Sequence, residues 1–289
     1  VGDILKSIVL GILEGITEFL PISSTGHLII GVQVLDFPLE LRGTFEIFIQ
    51  IGALFAILIY YARDLFQQAH TIHKDESVQR WWLAIVVAAI PALALGYLLS
   101  DTIEAFFHPS VVAVSMIVGG VIMYIAEVYQ ERQATTLATT LATVPPTSTT
   151  TTAAVPRSND EISISQALVI GLFQVLALIP GMSRSAMSII GGMFAGLSRP
   201  VATRFSFYLA IPVLGSATIY SLLKNLSSIN STNLLLLVIG AVVSGVVAWG
   251  VIAWLLRYVA RHNFVPFAIY RIVVGIIILL LLGTMPGLN

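Results

Sequence analysis

The chain has no cysteine in 289 residues, which excludes a disulfide framework, a thiolate nucleophile and a cysteine-ligated metal, and leaves the redox compartment unread. Charge is the second scarcity. Asp, Glu, Lys and Arg make up only 10% of the residues, too few to coat a water-facing globule. A formal net charge of −1 gives no electrostatic footprint for nucleic acid, so none is expected as a partner. The first residues carry no basic start and no small-residue cleavage pattern. Glu14 and Glu18 interrupt the apolar run there, so a secretory signal is not expected in it.

In place of charge the chain has hydrocarbon: 57% hydrophobic residues and a mean hydropathy of +0.95 describe an all-α polytopic membrane protein. A bilayer core of about 30 Å needs roughly 20 apolar residues per helical span. Six segments meet this, near 45–62, 82–99, 110–126, 205–223, 234–256 and 264–283, and Trp82 to Leu99 and Leu234 to Leu256 hold no charge. Four further apolar segments are short. Residues 4–19 and 28–35 are separated by Pro21 and Ser-Ser-Thr-Gly, and 164–179 and 186–197 by Pro180-Gly181 and Ser-Arg-Ser. Each pair reads as helix, break, helix, a re-entrant hairpin, because irregular backbone at membrane depth survives only where protein or a wet cavity covers it.

The two hairpins are copies. Gly11 to Gly31 (GILEGITEFLPISSTGHLIIG) slides onto Gly171 to Gly191 (GLFQVLALIPGMSRSAMSIIG), pairing Glu14 with Gln174, Ser23 with Ser183 and Thr25 with Ser185. With three spans and one non-crossing hairpin per half, the second half starts on the opposite side, which makes an inverted internal repeat. The expected organisation is a single membrane domain over 1–289: repeat one 1–129, a Thr-rich linker 130–161 of low complexity, and repeat two 162–289. On the side of both termini lie Lys6, Arg42 and Lys224. The other side collects Arg63, Lys74, Arg80, Arg132, Arg157, Arg199, Arg204, Arg257 and Arg261, and should be cytoplasmic. Both termini and the mouth of the first hairpin are then outside.

The reactive side chains cluster at the breaks. Glu14 and Glu18 stand one helical turn apart on one face, and an ionised carboxylate in hydrocarbon needs a wet cavity, a cation or a cationic partner. One such Glu is often a structural polar patch; two beside a hydroxyl cluster are less easily so explained. Ser23, Ser24, Thr25 and His27 follow Pro21, where a bend and a helix start aim hydroxyls and free N–H groups into one space suited to phosphate. An N-cap alone would need one hydroxyl. His27 suits a base, a proton carrier or a nucleophile; His70, His73, His108 and His262 fall in predicted loops and read as solvated. Arg184, flanked by Ser183 and Ser185, offers a donor fork for phosphate or for Glu14 or Glu18 across the repeat. Arg271 opens the last span without such neighbours and reads as structural. Gln50, Glu46 and Gln174 are placed to line the same cavity. Gly119-Gly120 and Gly240 with Ser244 offer small-residue surfaces for helix contact, within one chain or in a homodimer.

Glu14-Gly-Ile-Thr-Glu18-Phe-Leu-Pro-Ile-Ser-Ser-Thr-Gly-His27 and Pro180-Gly-Met-Ser-Arg-Ser185 resemble the two signatures of the undecaprenyl-diphosphate phosphatases of the bacitracin-resistance type. The likeness extends to Phe45-Glu46 with Gln50, to Phe205-Ser-Phe and to Pro266-Phe-Ala-Ile-Tyr-Arg271, nearly the whole chain apart from the Thr-rich stretch. The resemblance implies a bacterial inner-membrane enzyme that removes the terminal phosphate of undecaprenyl diphosphate, recycling the lipid carrier of cell-wall synthesis and giving bacitracin resistance. Carried over, it makes Glu14 and Glu18 the acidic pair, puts Ser23, Ser24, Thr25 and His27 around the diphosphate, and gives Arg184 the phosphate. Ser24 is the preferred nucleophile, with His27 open as nucleophile or base. One departure stands out: Ala186 and Ser188 replace the family's Gly and Thr, and Ala lacks the freer backbone of Gly.

Phosphoryl transfer is mainly positioning and electrostatics, so a divalent cation, Mg or Ca, on Glu14 and Glu18 is a natural expectation. The rival from another class is a transporter or flippase of a polyprenyl phosphate, since inverted repeats with facing hairpins also serve alternating access. A purely structural membrane protein leaves the charges at both breaks unexplained.

Overall fold

The computed structural model describes residues 2–37, 39–143, 162–224 and 231–282, and the regular structure among them is entirely α-helical. Six helices are long and apolar enough to cross a membrane: α3 (Leu39–Tyr60), α5 (Glu76–Leu98), α7 (Pro109–Thr143), α10 (Arg199–Lys224), α11 (Ser231–Val259) and α12 (Val265–Leu282). Their outward faces carry aliphatic side chains such as Ile59, Val246 and Leu280, each exposed by 65% or more. Such a surface is matched by lipid rather than by water. The chain is a multi-pass membrane protein.

The four short segments form α1 (Gly2–Thr17), α2 (Ser24–Val34), α8 (Ile164–Leu176) and α9 (Arg184–Phe194), with α1 packed on α2 and α8 on α9. Two shorter helices complete the set, α4 (Ala62–Thr71) and α6 (Ser100–Glu104). The helical α4 differs from the expected loop and carries the exposed His70; Ala62, Leu65, Phe66 and Ala69 recur at helical spacing along it, a short apolar stripe among polar residues that is too brief and too polar overall to read as a span. Helix α7 runs on to Thr143, so residues 130–143 of the Thr-rich stretch are helical, and 144–161 lie outside the described residues.

The halves exchange partners. Helix α1 lies on α11, and α8 lies on α5. In lipid no hydrophobic force drives helices together, so small residues and buried hydrogen bonds do. A Cβ on Gly11 or Gly15 would come within 2.7 Å of the Gly240 or Ser244 carbonyl oxygen, and one on Gly171 within 2.7 Å of that of Ala88. Ser7 Oγ donates to Leu236 O at 2.7 Å, and Ser244 Oγ to Ile49 O at 2.8 Å. The small-residue surfaces at Gly119-Gly120 and Gly240 with Ser244 are therefore in contact with α12, α3 and α1 of the same chain.

One end of the bundle is locked by a buried carboxylate. Glu127 of α7, fully buried, accepts from Arg199 Nε at 3.0 and 2.9 Å, from Arg199 Nη2, and from the Phe264 amide at 2.8 Å. It thereby fixes the starts of α10 and α12 to α7. Glu127→Ala would leave a guanidinium and an amide without partners, a loss of about 3 kcal/mol, the low end for a buried pair because Arg199 is a quarter exposed. The measurement is the thermal midpoint in detergent, expected to fall by several degrees; an unchanged midpoint would refute the assignment.

Candidate active site

Both breaks are built the same way. Pro21 and Pro180 cannot continue a helix, and two to three residues later Ser23 (φ 72°, ψ 99°) and Ser183 (φ 72°, ψ 116°) turn the chain through positive φ. For a non-glycine residue this costs about 1 kcal/mol or more and persists only where the surroundings enforce it. The return is a capped helix. Ser23 Oγ accepts from the Gly26 amide at 3.4 Å and Ser183 Oγ from the Ala186 amide at 3.3 Å, so Ser24 and Arg184 each stand first in a helix. Two helix N-termini, with free first-turn N–H groups, therefore carry the sequence's hydroxyls and its one cation at a break. Ala186, where a Gly was expected, sits inside α9 at negative φ and needs no glycine freedom.

The two breaks touch. Ser185 Oγ donates to Leu20 O at 3.0 Å, and Arg184 Nη2 reaches Glu18 Oε1 at 3.5 Å. The other oxygen of the same carboxylate, Glu18 Oε2, accepts from Ser24 Oγ at 2.7 Å. Glu18 thus lies between a hydroxyl and a guanidinium, and its side chain is only 6% exposed. The distances rank the two bonds: the Ser24 bond is short, whereas the Arg184 bond is at the outer limit of a hydrogen bond. Arg184 is further held by the Ser206 carbonyl at 3.2 Å and lies over the Phe19 ring at 5.8 Å, while its Nε has no partner. A carboxylate that already accepts from a hydroxyl can take its proton. A guanidinium so loosely paired can turn to an anion.

Glu14, one turn before Glu18, is fully buried with neither carboxylate oxygen hydrogen-bonded. Its repeat counterpart Gln174 is 1% exposed with both amide atoms unpartnered. Buried polar groups left unpaired cost about 1–3 kcal/mol each, more when charged, and mark places built for something else. Gln174 and Arg184 line a cavity of about 580 Å³ between α5, α8 and α10, whose other walls include Leu93, Leu178, Val213 and Leu214. A second cavity, about 550 Å³ between α3 and α11, has only apolar walls around Phe55 and Trp249 and offers no chemistry.

His27 points elsewhere than at Ser24. Its Nδ1 lies 2.7 Å from the Ser23 carbonyl oxygen, which can only accept, so Nδ1 carries a proton; its Nε2 lies 2.7 Å from Tyr270 Oη. Of the remaining expected residues, Thr25 is half-buried in the first turn of α2, and Ser183 Oγ is 3.0 Å from Ser185 Oγ. Gln50 is half-buried on α3, and among the described residues no hydrogen bond joins it to Glu14, Glu18 or Arg184. The other four histidines lie outside this region; His70, His73 and His108 are exposed, and His262 is exposed in the connection between α11 and α12. Three groups at the site were not anticipated: Tyr270, Ser206 and the Leu20 carbonyl. Tyr270 lay within the Pro266–Arg271 likeness, Ser206 within Phe205-Ser-Phe and Leu20 within the first signature, but nothing in those segments marked the individual groups as part of the site.

The family described as bacitracin resistance protein BacA matches residues 7–277. The undecaprenyl-diphosphatase of Deinococcus radiodurans is 48% identical over 97% of this chain and 96% of its own length. Those of Deinococcus deserti and Cupriavidus necator are 46% and 43% identical, over 98% and 96% of this chain and 96% and 94% of theirs. With the signatures joined in space and the match running through all six long apolar helices, the chain belongs to the BacA bacitracin-resistance family.

Proposed function

We propose that the protein is an undecaprenyl-diphosphate phosphatase, releasing inorganic phosphate and regenerating undecaprenyl phosphate. The observation that carries this is the Ser24–Glu18–Arg184 line, a hydroxyl at 2.7 Å and a guanidinium at 3.5 Å from one buried carboxylate. Glu18 takes the proton of Ser24 as its oxygen bonds to the terminal phosphorus and the anhydride bond breaks, with undecaprenyl phosphate departing. Water then attacks the phosphoserine, its oxygen and both its protons leaving in the inorganic phosphate, and Glu18 returns to the Ser24 oxygen the proton it took. Arg184, the hydroxyls of Ser23, Thr25 and Ser183 and the first-turn amides of α2 and α9 hold the phosphoryl oxygens as charge develops, while Ser185, its hydroxyl given to Leu20 O, ties the two breaks together. The apolar walls beside Arg184 and Gln174 suit the prenyl chain of a polyprenyl diphosphate.

Glu14 fits a divalent cation, Mg or Ca, because a carboxylate with both oxygens buried and unpaired is a hard-ion donor. Glu14 and Glu18 would hold it, and it would neutralise phosphate charge. Thorough chelation is expected to lower phosphate release about tenfold or more and added Mg or Ca to restore it; turnover that survives chelation removes the ion from the scheme.

The architecture we favour is an inverted repeat over 1–129 and 162–289, with both short-helix pairs re-entrant. It is supported by the shared Ser23 and Ser183 geometry and by the exchanged packing of α1 on α11 and α8 on α5. In the bacterial inner membrane, the Lys and Arg distribution favours termini outside and the linker inside. The cavity lies against the C-terminal halves of α5 and α10, the end this orientation makes outer, so the site would receive lipid from the outer face. The deciding experiment is phosphate release from undecaprenyl diphosphate by the purified protein, and its absence would overturn the reading.

A further inference from the structure

Arg271 is the largest fully buried side chain among the described residues, and its hydrogen-bond partners are all backbone. It donates to Met116 O at 3.3 Å and Ser115 O at 3.5 Å on α7, to Pro21 O at 3.2 Å in the first break, and to Gly181 O and Met182 O at 3.0 Å in the second. No carboxylate among the described residues pairs with it. Its space is made by Gly119, where a Cβ would fall 2.2 Å from Arg271 Nη2. Only the planar guanidinium fork can serve carbonyls spread over three segments at once. The neighbouring side chain, Tyr270, meets His27 with ring planes 4° apart and an Oη to Nε2 distance of 2.7 Å.

We propose that the Tyr270–Arg271 pair of α12 is the positioning element of the site: Arg271 keeps the two breaks in register, and Tyr270, through His27, sets the backbone that presents Ser24. Since Nδ1 of His27 must donate to the Ser23 carbonyl, the neutral ring has its lone pair on Nε2, and the Tyr270 hydroxyl donates to it. A continuous chain, Tyr270 O–H to His27 Nε2 and His27 N–H to Ser23 O, ends on the strained residue immediately before Ser24. His27 then acts by holding the turn, and the Ser24 proton is left to Glu18 at 2.7 Å. Arg271 anchors the same turn from its other end, at Pro21.

The inference rests on the phosphatase reading for its kinetic arm, and a second arm is independent of activity. Tyr270→Phe keeps the ring and removes only the hydroxyl, so the fold is retained. Its kcat for phosphate release is expected to fall about tenfold, the worth of one hydrogen bond, with KM within twofold of wild type. In protein carrying 15N-histidine, the His27 Nε2 resonance, assigned with a His27→Gln sample, is expected to move toward that of an unbonded imine nitrogen. Arg271→Lys should lower kcat further, because one ammonium cannot bridge both breaks; should that variant fail to fold, Tyr270→Phe decides alone. An unmoved resonance, a kcat within twofold of wild type, or a loss confined to KM would overturn the proposal. Wild-type protein without phosphatase activity would defeat the proposed function, while the resonance comparison still decides whether Tyr270 holds His27.

Discussion

Ser24→Ala abolishes phosphate release, with turnover of undecaprenyl diphosphate falling at least about 10³-fold while the protein stays folded. The expectation follows from the position of the hydroxyl. It is the one oxygen that combines a 2.7 Å bond to a buried carboxylate with a place at the first position of a helix, where an entering phosphoryl group meets free amides. Ala removes the attacking atom and costs roughly 1 kcal/mol of folding stability. Glu18→Gln keeps the shape and loses the proton acceptor, so it should lose about 10²–10⁴-fold. The same variants separate catalyst from carrier. If the chain also moved polyprenyl phosphate across the bilayer, Ser24→Ala would leave flipping intact and only phosphate release would vanish. A Ser24→Ala protein that keeps more than a tenth of wild-type turnover sinks the assignment and returns the role to His27.

The six spans were legible because a bilayer imposes a length and forbids charge over it, and both properties are written directly in the residues. Their polar extensions were less so. Helix α5 begins at Glu76 ahead of the apolar run because the Asp75 side chain caps it, accepting from the Ser77 amide at 2.9 Å, and α4 is only ten residues long, its apolar stripe of Leu65 and Phe66 too short to stand out between two spans. At the site, the Glu14 to Glu18 spacing and the Ser-Arg-Ser cluster pointed to a polar centre at membrane depth, because charge in hydrocarbon is too costly to be incidental. The approach of Arg184 to one of the two glutamates across the repeat was expected, and Glu18 is the one it meets; which group faces Ser24 was not legible. The choice between Glu18 and His27 as neighbour of Ser24 depends on the positive-φ turn at Ser23, and neither serine betrays such a turn as glycine would. Arg271 looked structural because its partners are carbonyl oxygens, which every residue has and no sequence displays. Gln174 was visible as the repeat's counterpart of Glu14 and as a group able to line the cavity; its unpaired amide lies in the cavity that Arg184 also lines.

Arg184→Ala is expected to reduce kcat/KM for phosphate release by about 10³-fold, the scale of losing a preorganised donor to developing phosphoryl charge. Arg184 has more donors than its protein partners use: one bond at 3.5 Å to Glu18, one at 3.2 Å to a carbonyl, and an unpaired Nε. A phosphate gives the fork a better partner than the carboxylate, and Glu18 is then left to Ser24. Lys in its place keeps the charge but not the bidentate geometry. Arg184→Lys should therefore recover only part of the loss, with a raised KM as well as a lowered kcat. If Arg184 merely neutralised Glu18, Lys would restore activity and Arg184→Ala would act through stability, seen as a lower thermal midpoint with unchanged kcat in the folded fraction. Rescue by Lys to within twofold of wild type, or an Ala variant within tenfold, would show that the second break contributes packing and no phosphate contact.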